Sequence, residues 1–237
     1  ITTIENLITG LNKATRVGTY AYIDTGRLGQ DAIRVALIYQ STSVTPAGPF
    51  MTDSHSIFDR PPLAQTFEDA SGERITVVVA HLKSKRCEKA SGDDFDQGDG
   101  QGCYNHRRVM QVTQLLTFIN TIVIPTSGDP DVLILGDLNA YAKEDPIRLL
   151  EEAGYTNLID RFMGSAAYSY VFYGQSGYLS HALASRSLVP QITGTAIWHI
   201  NADEPRVFDY NEEDKTPSQR NSFYAPDPYR SSDHDPV

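Results

Sequence analysis

Apolar residues recur at helical spacing in three segments of the chain. Residues 5–11, 104–124 and 144–153 each carry an apolar face, so each predicts an amphipathic helix. We expect the second helix to end before Pro125 and the third to close at Gly154.

Between these helices, period-two alternation and short apolar runs predict β-strands. The predicted strands are residues 19–23, 33–39, 65–68, 75–81, 132–135, 168–173, 182–183 and 192–200. Residues 201–230 are polar and irregular. Strands separated by helices indicate the α/β class, with sheets covered by helices.

One predicted strand ends in a polar pair. The apolar run 132–135 breaks at Gly136 and is followed by Asp137 and Asn139, which strand geometry sends to the same side. A carboxylate beside an amide suits a divalent cation that also touches a phosphate. Alternatively, both side chains bond the local backbone in an Asx turn.

Three more polar residues lie far from this pair in the sequence. His81 ends the strand 75–81, and Asp233 is followed at once by His234. An imidazole, with an ordinary pKa of about 6.5, is suited to act as a general base. Polar groups at several strand ends indicate an active site at the edge of a sheet.

Residues 80–81, 136–139 and 232–234, in this order, resemble the motifs of the endonuclease/exonuclease/phosphatase superfamily, which includes pancreatic-type deoxyribonuclease and abasic endonucleases. Residues 26–39 and 198–211 resemble its secreted bacterial nucleases. The resemblance covers nearly the whole chain, 1–237, as a single domain. It implies a four-layer α/β sandwich, with two mixed sheets packed face to face and helices outside.

The resemblance also implies a role for each motif residue. His81 is expected to act as a general acid or phosphate contact, and His234 as the base that activates water. Asp137, Asn139 and Asp233 are expected to hold Mg²⁺ or Mn²⁺, with Asn139 also contacting the phosphate.

Three further residues are weaker candidates. Arg27 and Lys83 are expected to contact the DNA backbone, although Arg27 also fits a solvated loop. Asp31 lies near the position where relatives place a carboxylate that orients the strand histidine.

The sequence departs from the family pattern in three ways. The strand that bears a metal-binding Glu is absent, and Glu5 stands in a helical context instead. Ser180 replaces the Asp that pairs with the catalytic base, and a serine cannot stabilise an imidazolium with a full charge. The chain also stops at Val237, before a closing strand. We therefore expect a fragment, cut inside a longer protein and lacking its first and last strands, with a weakened base.

Composition limits how this chain binds nucleic acid. The net charge of −10 disfavours a broad basic binding surface, although a bound cation can neutralise phosphate locally. No apolar stretch of the sequence approaches the roughly 18 residues of a membrane span. No obligate protein partner is evident.

Cys87 and Cys103 flank a Gly- and Asp-rich segment. Their polar neighbours favour a disulfide over two buried thiols, and closing such a loop stabilises by about 3 kcal/mol in the chain-entropy model. A disulfide indicates an exported or cell-surface protein. The acidic residues of the segment are suited either to a structural Ca²⁺ or to a solvated loop; they are Asp93, Asp94, Asp96 and Asp99.

Taken together, these observations predict a secreted, divalent-metal-dependent DNA endonuclease. A phosphatase or phospholipid phosphodiesterase of the same fold is a second hypothesis, because superfamily members differ mainly in loops around a shared centre. A catalytically silent domain is a third, motivated by Ser180 and the missing Glu.

Overall fold

The structure is a computed structural model that describes residues 2–209, 212, 215–225 and 227–237. Tyr210 and Asn211, which belong to the nuclease-like phrase 198–211, lie outside the described residues. The α-helices are α1 (Thr3–Ala14), α2 (Asn105–Phe118), α3 (Ile124–Ser127), α4 (Asp145–Glu152), α5 (Leu158–Met163) and α6 (Pro217–Phe223). The strands are β1 (Tyr20–Tyr22), β2 (Ile38–Gln40), β3 (Val44–Pro46), β4 (Met51–Thr52), β5 (Leu63–Asp69), β6 (Arg74–Val79), β7 (Val132–Asp137), β8 (Thr156–Asn157), β9 (Tyr170–Phe172), β10 (Gln175–Gly177) and β11 (Ser180–Ala184).

A seven-stranded mixed sheet forms the centre of the fold. Its strand order is β3-β5-β6-β7-β11-β8, with β4 also paired to β5. β6 and β7 run parallel, and the other pairs are antiparallel. The parallel pair is joined by the long helix, as a parallel connection requires. Its two strands therefore end at the same edge of the sheet.

The layers follow the predicted order of helix, sheet, sheet and helix. On one face of the main sheet, Val78 and Ile134 pack against α2 and α4. On the other face, Phe67 packs against Leu37 beside the two-stranded sheet β1–β2. α1 covers that small sheet, and Asn12 bonds the backbone of Tyr20 at 2.8 and 2.9 Å. The four-layer α/β sandwich is confirmed, with the second sheet formed by this short pair.

The long helix extends beyond its predicted end. A π-helical segment, Ile119–Val123, connects α2 to α3, so the helix continues through Pro125 to Ser127. The wider turn accommodates a residue that has no N–H to donate. Among the described residues, Asn105–Ser127 is long and apolar enough to cross a membrane by length and composition, contrary to expectation. Core helices meet the same criterion, and Leu115 here is buried against the sheet.

Two strand predictions were wrong. Of residues 33–39, only the end joins β2 (Ile38–Gln40), because β1 offers just three residues for pairing. Residues 192–200 contain no strand. The backbone there forms hydrogen bonds with the segment around Pro236 instead. For example, the Trp198 N–H donates to the Pro236 carbonyl at 3.0 Å.

Candidate active site at the ends of two parallel strands

Close approach of β6 and β7 brings two predicted site residues together. Gly136 has φ +131°, and a Cβ atom at this position would lie 2.0 Å from the Ala80 carbonyl oxygen. Only glycine fits this conformation and contact. The ladder continues beyond Gly136, with Leu82 N–H donating to the Asp137 carbonyl at 3.0 Å. As a result, His81 Nε2 lies 3.4 Å from Asp137 Oδ2.

His81 is half-buried, and its surroundings favour the neutral imidazole. Burial lowers its pKa more than the nearby Asp137 carboxylate raises it, and the charges of Arg60 and His234 lower it further. The Arg60 guanidinium donates to the carbonyls of His81 and Leu82 at 3.2 and 2.7 Å. Asp31 contacts Arg60 at 3.4 Å, so its carboxylate braces the arginine behind His81.

Asp137 and Asn139 form the Asx turn that was one of the two interpretations. Asn139 adopts φ +49°, and its backbone N–H donates to Asp137 Oδ1 at 2.9 Å. Its Nδ2 donates to Asp137 Oδ2 and to the Leu82 carbonyl, each at 3.1 Å. Both N–H bonds of the amide are used, and no described residue donates a hydrogen bond to the Asn139 Oδ1 atom, which is therefore the group of this side chain suited to face a ligand.

Strand β11 adds the third part of the site. Ser180 pairs directly with Asp137 across the antiparallel strands, and its Oγ lies 3.0 Å from His234 Nδ1. The His234 imidazole is thereby held at the same sheet edge as His81 and Asp137. A hydroxyl that accepts from Nδ1–H leaves Nε2 as the basic nitrogen.

Asp235, which was not predicted as a site residue, anchors the segment that carries His234. Its side chain is fully buried, and Oδ1 accepts three backbone N–H bonds, from residues 200, 201 and 202, at 2.8–3.1 Å. Its Oδ2 lies 2.8 Å from His199 Nδ1. Burial alone would raise the pKa of Asp235, but the bonds from Ala202, Asn201 and His199 lower it below the usual value. In the sequence, the second acidic residue of the run Asp233-His234-Asp235 could have indicated this role.

Tyr170 is a second residue that sequence reasoning missed. Its ring lies 4.7 Å from the His234 ring, between centroids. Burial raises the pKa of the phenol, and the charges of Asp233 and Asp137 raise it further. Tyr170 therefore remains protonated near neutral pH and stands within electrostatic reach of both carboxylates.

Solved structures of similar architecture align with more than three quarters of this chain. The human Nocturnin catalytic domain with a bound sulfate anion aligns over 78% of this chain and 65% of its own, at 15% identity and a TM-score of 0.52. An endonuclease/exonuclease/phosphatase family protein from Bacteroides thetaiotaomicron aligns over 77% and 66%, at 12% identity and a TM-score of 0.53. A mannosyl-6-phosphatase from the same organism aligns over 77% and 68%, at 12% identity and a TM-score of 0.54.

The fold is that of the endonuclease/exonuclease/phosphatase proteins. The chain spans about two thirds of the length of these solved structures. No protein-family model matches the chain, and no match was found among curated proteins.

The described residues do not build a closed metal centre on this endonuclease/exonuclease/phosphatase fold. In the parts of the chain that the structure describes, no three His, Cys, Asp or Glu side chains converge on one point. Asp137 is half-buried at the sheet edge, whereas Asp233 is exposed. The same holds for the acidic residues that were considered for a structural Ca²⁺, which do not form such a group and lie on an exposed or half-buried loop. They are Asp93, Asp94, Asp96 and Asp99.

The predicted disulfide is present, and two lysines near the site have partners within the chain. Cys87 and Cys103 are bonded, with their Cα atoms 5.2 Å apart. Lys83 places its ammonium 4.7 Å from the centre of the Tyr104 ring. Lys85 binds the buried Glu144 carboxylate at 2.5 Å, and burial lowers its pKa. Arg27 is exposed in its glycine-flanked turn.

Proposed function

We propose that this protein is an exported hydrolase of phosphoester bonds that cuts DNA internally. The carrying observation is that Ser180, directly opposite Asp137 in the sheet, contacts His234 Nδ1 at 3.0 Å. This contact sets a basic nitrogen beside a carboxylate and a second imidazole on an endonuclease/exonuclease/phosphatase fold. Such a constellation suits hydrolysis with water as the nucleophile.

In the proposed reaction, His234 Nε2 takes a proton from water. The water oxygen forms a bond to phosphorus, the bond from phosphorus to one ester oxygen breaks, and that oxygen takes a proton from solvent. Ser180 stabilises the imidazolium only through a neutral hydrogen bond, so His234 is a weaker base than one paired with a carboxylate.

His81 and Asn139 receive more limited roles than the motifs implied. Because burial keeps His81 neutral, we assign it a hydrogen bond to a phosphate oxygen rather than the delivery of a proton as imidazolium. Asn139 has both amide N–H bonds engaged, so its Oδ1 is suited to a cation or a water molecule rather than to phosphate.

Dependence on Mg²⁺ or Mn²⁺ is part of the proposal. Mg²⁺ commonly keeps several waters and uses one or two carboxylates together with substrate phosphates. Asp137 is the best-placed carboxylate, with Asp233 as a second candidate near Tyr170. Export is supported by the disulfide, because such bonds persist in oxidising compartments.

Relaxation of supercoiled plasmid tests this function. We expect nicking in Mg²⁺ or Mn²⁺, its loss in EDTA, and a loss of at least about 100-fold in His234→Ala, which is the lower end of the range for a missing general base. His106→Ala, which removes an exposed histidine of α2, is the matched control. Nicking that survives in His234→Ala would refute the assignment of the base.

A phosphatase of the same fold is the second candidate, because a mannosyl-6-phosphatase is among the solved structures of similar architecture. The mannosyl-6-phosphatase aligns with the TM-score of 0.54 given above. At 12% identity this likeness concerns the fold and does not select a substrate. A competition assay separates the candidates, because duplex DNA that fails to inhibit turnover of a small phosphomonoester would favour the phosphatase.

A further inference from the structure

A row of aromatic rings leads from the candidate base to the protein surface. The centroid of the Tyr170 ring lies 4.7 Å from that of His234 and 6.2 Å from that of Phe172. The Tyr170 and Phe172 rings are nearly parallel, with an interplanar angle of 13°. Tyr173 continues the row, its centroid 4.5 Å from that of Phe172.

The outer rings of this row are open to solvent. Phe172 is 50% exposed and Tyr173 is 87% exposed, whereas Tyr170 is half-buried. Folding gains little from aromatic side chains that remain in water. These two rings are therefore available to contact a ligand.

The hairpin that carries the rings holds Tyr173 in an unfavourable backbone conformation. β9 and β10 pair from Phe172–Gln175 to Tyr170–Gly177, so a two-residue turn joins them. Tyr173 and Gly174 have φ +48° and +79°. Asn-Gly is the preferred sequence for a turn with two positive φ values, and a left-handed tyrosine costs about 1–2 kcal/mol. Strain of this kind concentrates at functional sites.

The charge of the protein favours a single-stranded ligand over a duplex. The chain carries a net charge of −10, and cationic side chains around the site have intramolecular partners: Arg60 on Asp31, Lys83 on Tyr104 and Lys85 on Glu144. A duplex presents phosphates and hides the faces of its bases. A single strand presents those faces, and stacking on an aromatic ring contributes about 1–3 kcal/mol per base.

We propose that Tyr170, Phe172 and Tyr173 form a stacking platform for the unpaired bases of a single-stranded DNA whose phosphate lies at His234. The inference rests on the proposed function, because it places the scissile phosphate at that histidine. It adds a substrate preference, because bases next to the cut can stack on the platform only when they are unpaired.

Fluorescence anisotropy in EDTA tests the platform without requiring catalysis. We expect the protein to bind a single strand more tightly than its duplex and more tightly than a strand whose bases are replaced by abasic residues. Phe172→Ala and Tyr173→Ala should each weaken binding of the normal strand by about tenfold. Phe172→Trp and Tyr173→Trp should retain the affinity, because they keep a ring.

The matched control is Phe95→Ala, which removes a ring that is 55% exposed in the disulfide-bridged loop. It should leave the affinity unchanged, and the far-ultraviolet circular dichroism of all variants should match the parent. Equal affinity for normal and abasic strands, or full binding by the alanine variants, would overturn the platform.

Plasmid nicking without a preference for single strands would overturn the platform and leave the proposed function intact. A preference that the alanine variants lose, in a protein that hydrolyses no phosphoester, would support the platform and reject the proposed function.

Discussion

Gly136 and Ala80 approach each other so closely that a Cβ atom at position 136 would lie 2.0 Å from the Ala80 carbonyl oxygen. The two residues in contact each stand one position before a polar residue of the site, Ala80 before His81 and Gly136 before Asp137. Because Gly136 has no side chain, the two chain segments come close together, and this approach sets the separation of His81 and Asp137.

Gly136→Ala should destabilise the protein by about 2–5 kcal/mol, because it adds overpacking to a strained φ. Urea unfolding measures the loss. Gly10→Ala is the control, since Gly10 lies within α1 and a Cβ there meets no atom within 4 Å. It should stabilise by up to about 1 kcal/mol. Equal stability of Gly136→Ala and the parent would contradict the close approach.

Ser180 should act through His234 rather than through stability. Ser180→Ala removes the partner of Nδ1 and should lower kcat by about tenfold or more with little change in Tm. Ser176→Ala, in the exposed hairpin strand β10, is the matched control. A kcat equal to that of the parent would show that the 3.0 Å contact is not used.

Ser180→Asp should raise kcat. A carboxylate bonded to His234 Nδ1 stabilises an imidazolium with a full charge, whereas the serine hydroxyl offers only a neutral hydrogen bond. Because position 180 faces Asp137 directly, the two carboxylates should also repel and lower stability by a few tenths to about 1 kcal/mol. A kcat no higher than that of the parent would argue against base catalysis by His234.

His181 should make stability depend on pH. Its ring is buried and bonded to the Ala140 carbonyl at 2.8 Å, and burial lowers its pKa from 6.5 to about 4. Between these values the unfolded chain binds a proton that the folded chain does not, so the free energy of unfolding falls as pH falls. The loss from this group is up to about 3 kcal/mol and is complete near pH 4.

His181→Gln keeps an N–H donor for Ala140 but cannot titrate, so its unfolding free energy should fall less than that of the parent over the same pH range. Denaturant melts at several pH values measure both slopes. Parallel slopes would show that His181 does not contribute the predicted pH dependence.

The disulfide should contribute about 3 kcal/mol, as expected for a loop with a sequence separation of 16. Replacing both Cys87 and Cys103 by Ser should lower the free energy of unfolding by that amount. A reductant should destabilise the parent similarly and leave the double variant unchanged. Insensitivity of the parent to a reductant that cleaves the bond would contradict the prediction.

The sequence by itself determined the local features of this protein. Apolar runs predicted β6 and β7, glycine marked the break before Asp137, and the motifs singled out His81 and His234. The four-layer order was also predictable through the resemblance carried by those motifs. The strands and the glycine break depend on neighbours within a few residues, which a sequence displays directly.

Tertiary structure alone decided which of these groups meet. The bracing of His81 by Arg60, the contact of Ser180 with His234 and the burial of Asp235 join residues from separate segments. It also converted most of residues 33–39 from a predicted strand into an irregular segment, because the neighbouring strand is only three residues long. Pairing and burial depend on the whole arrangement of the chain, and therefore no local pattern could specify them.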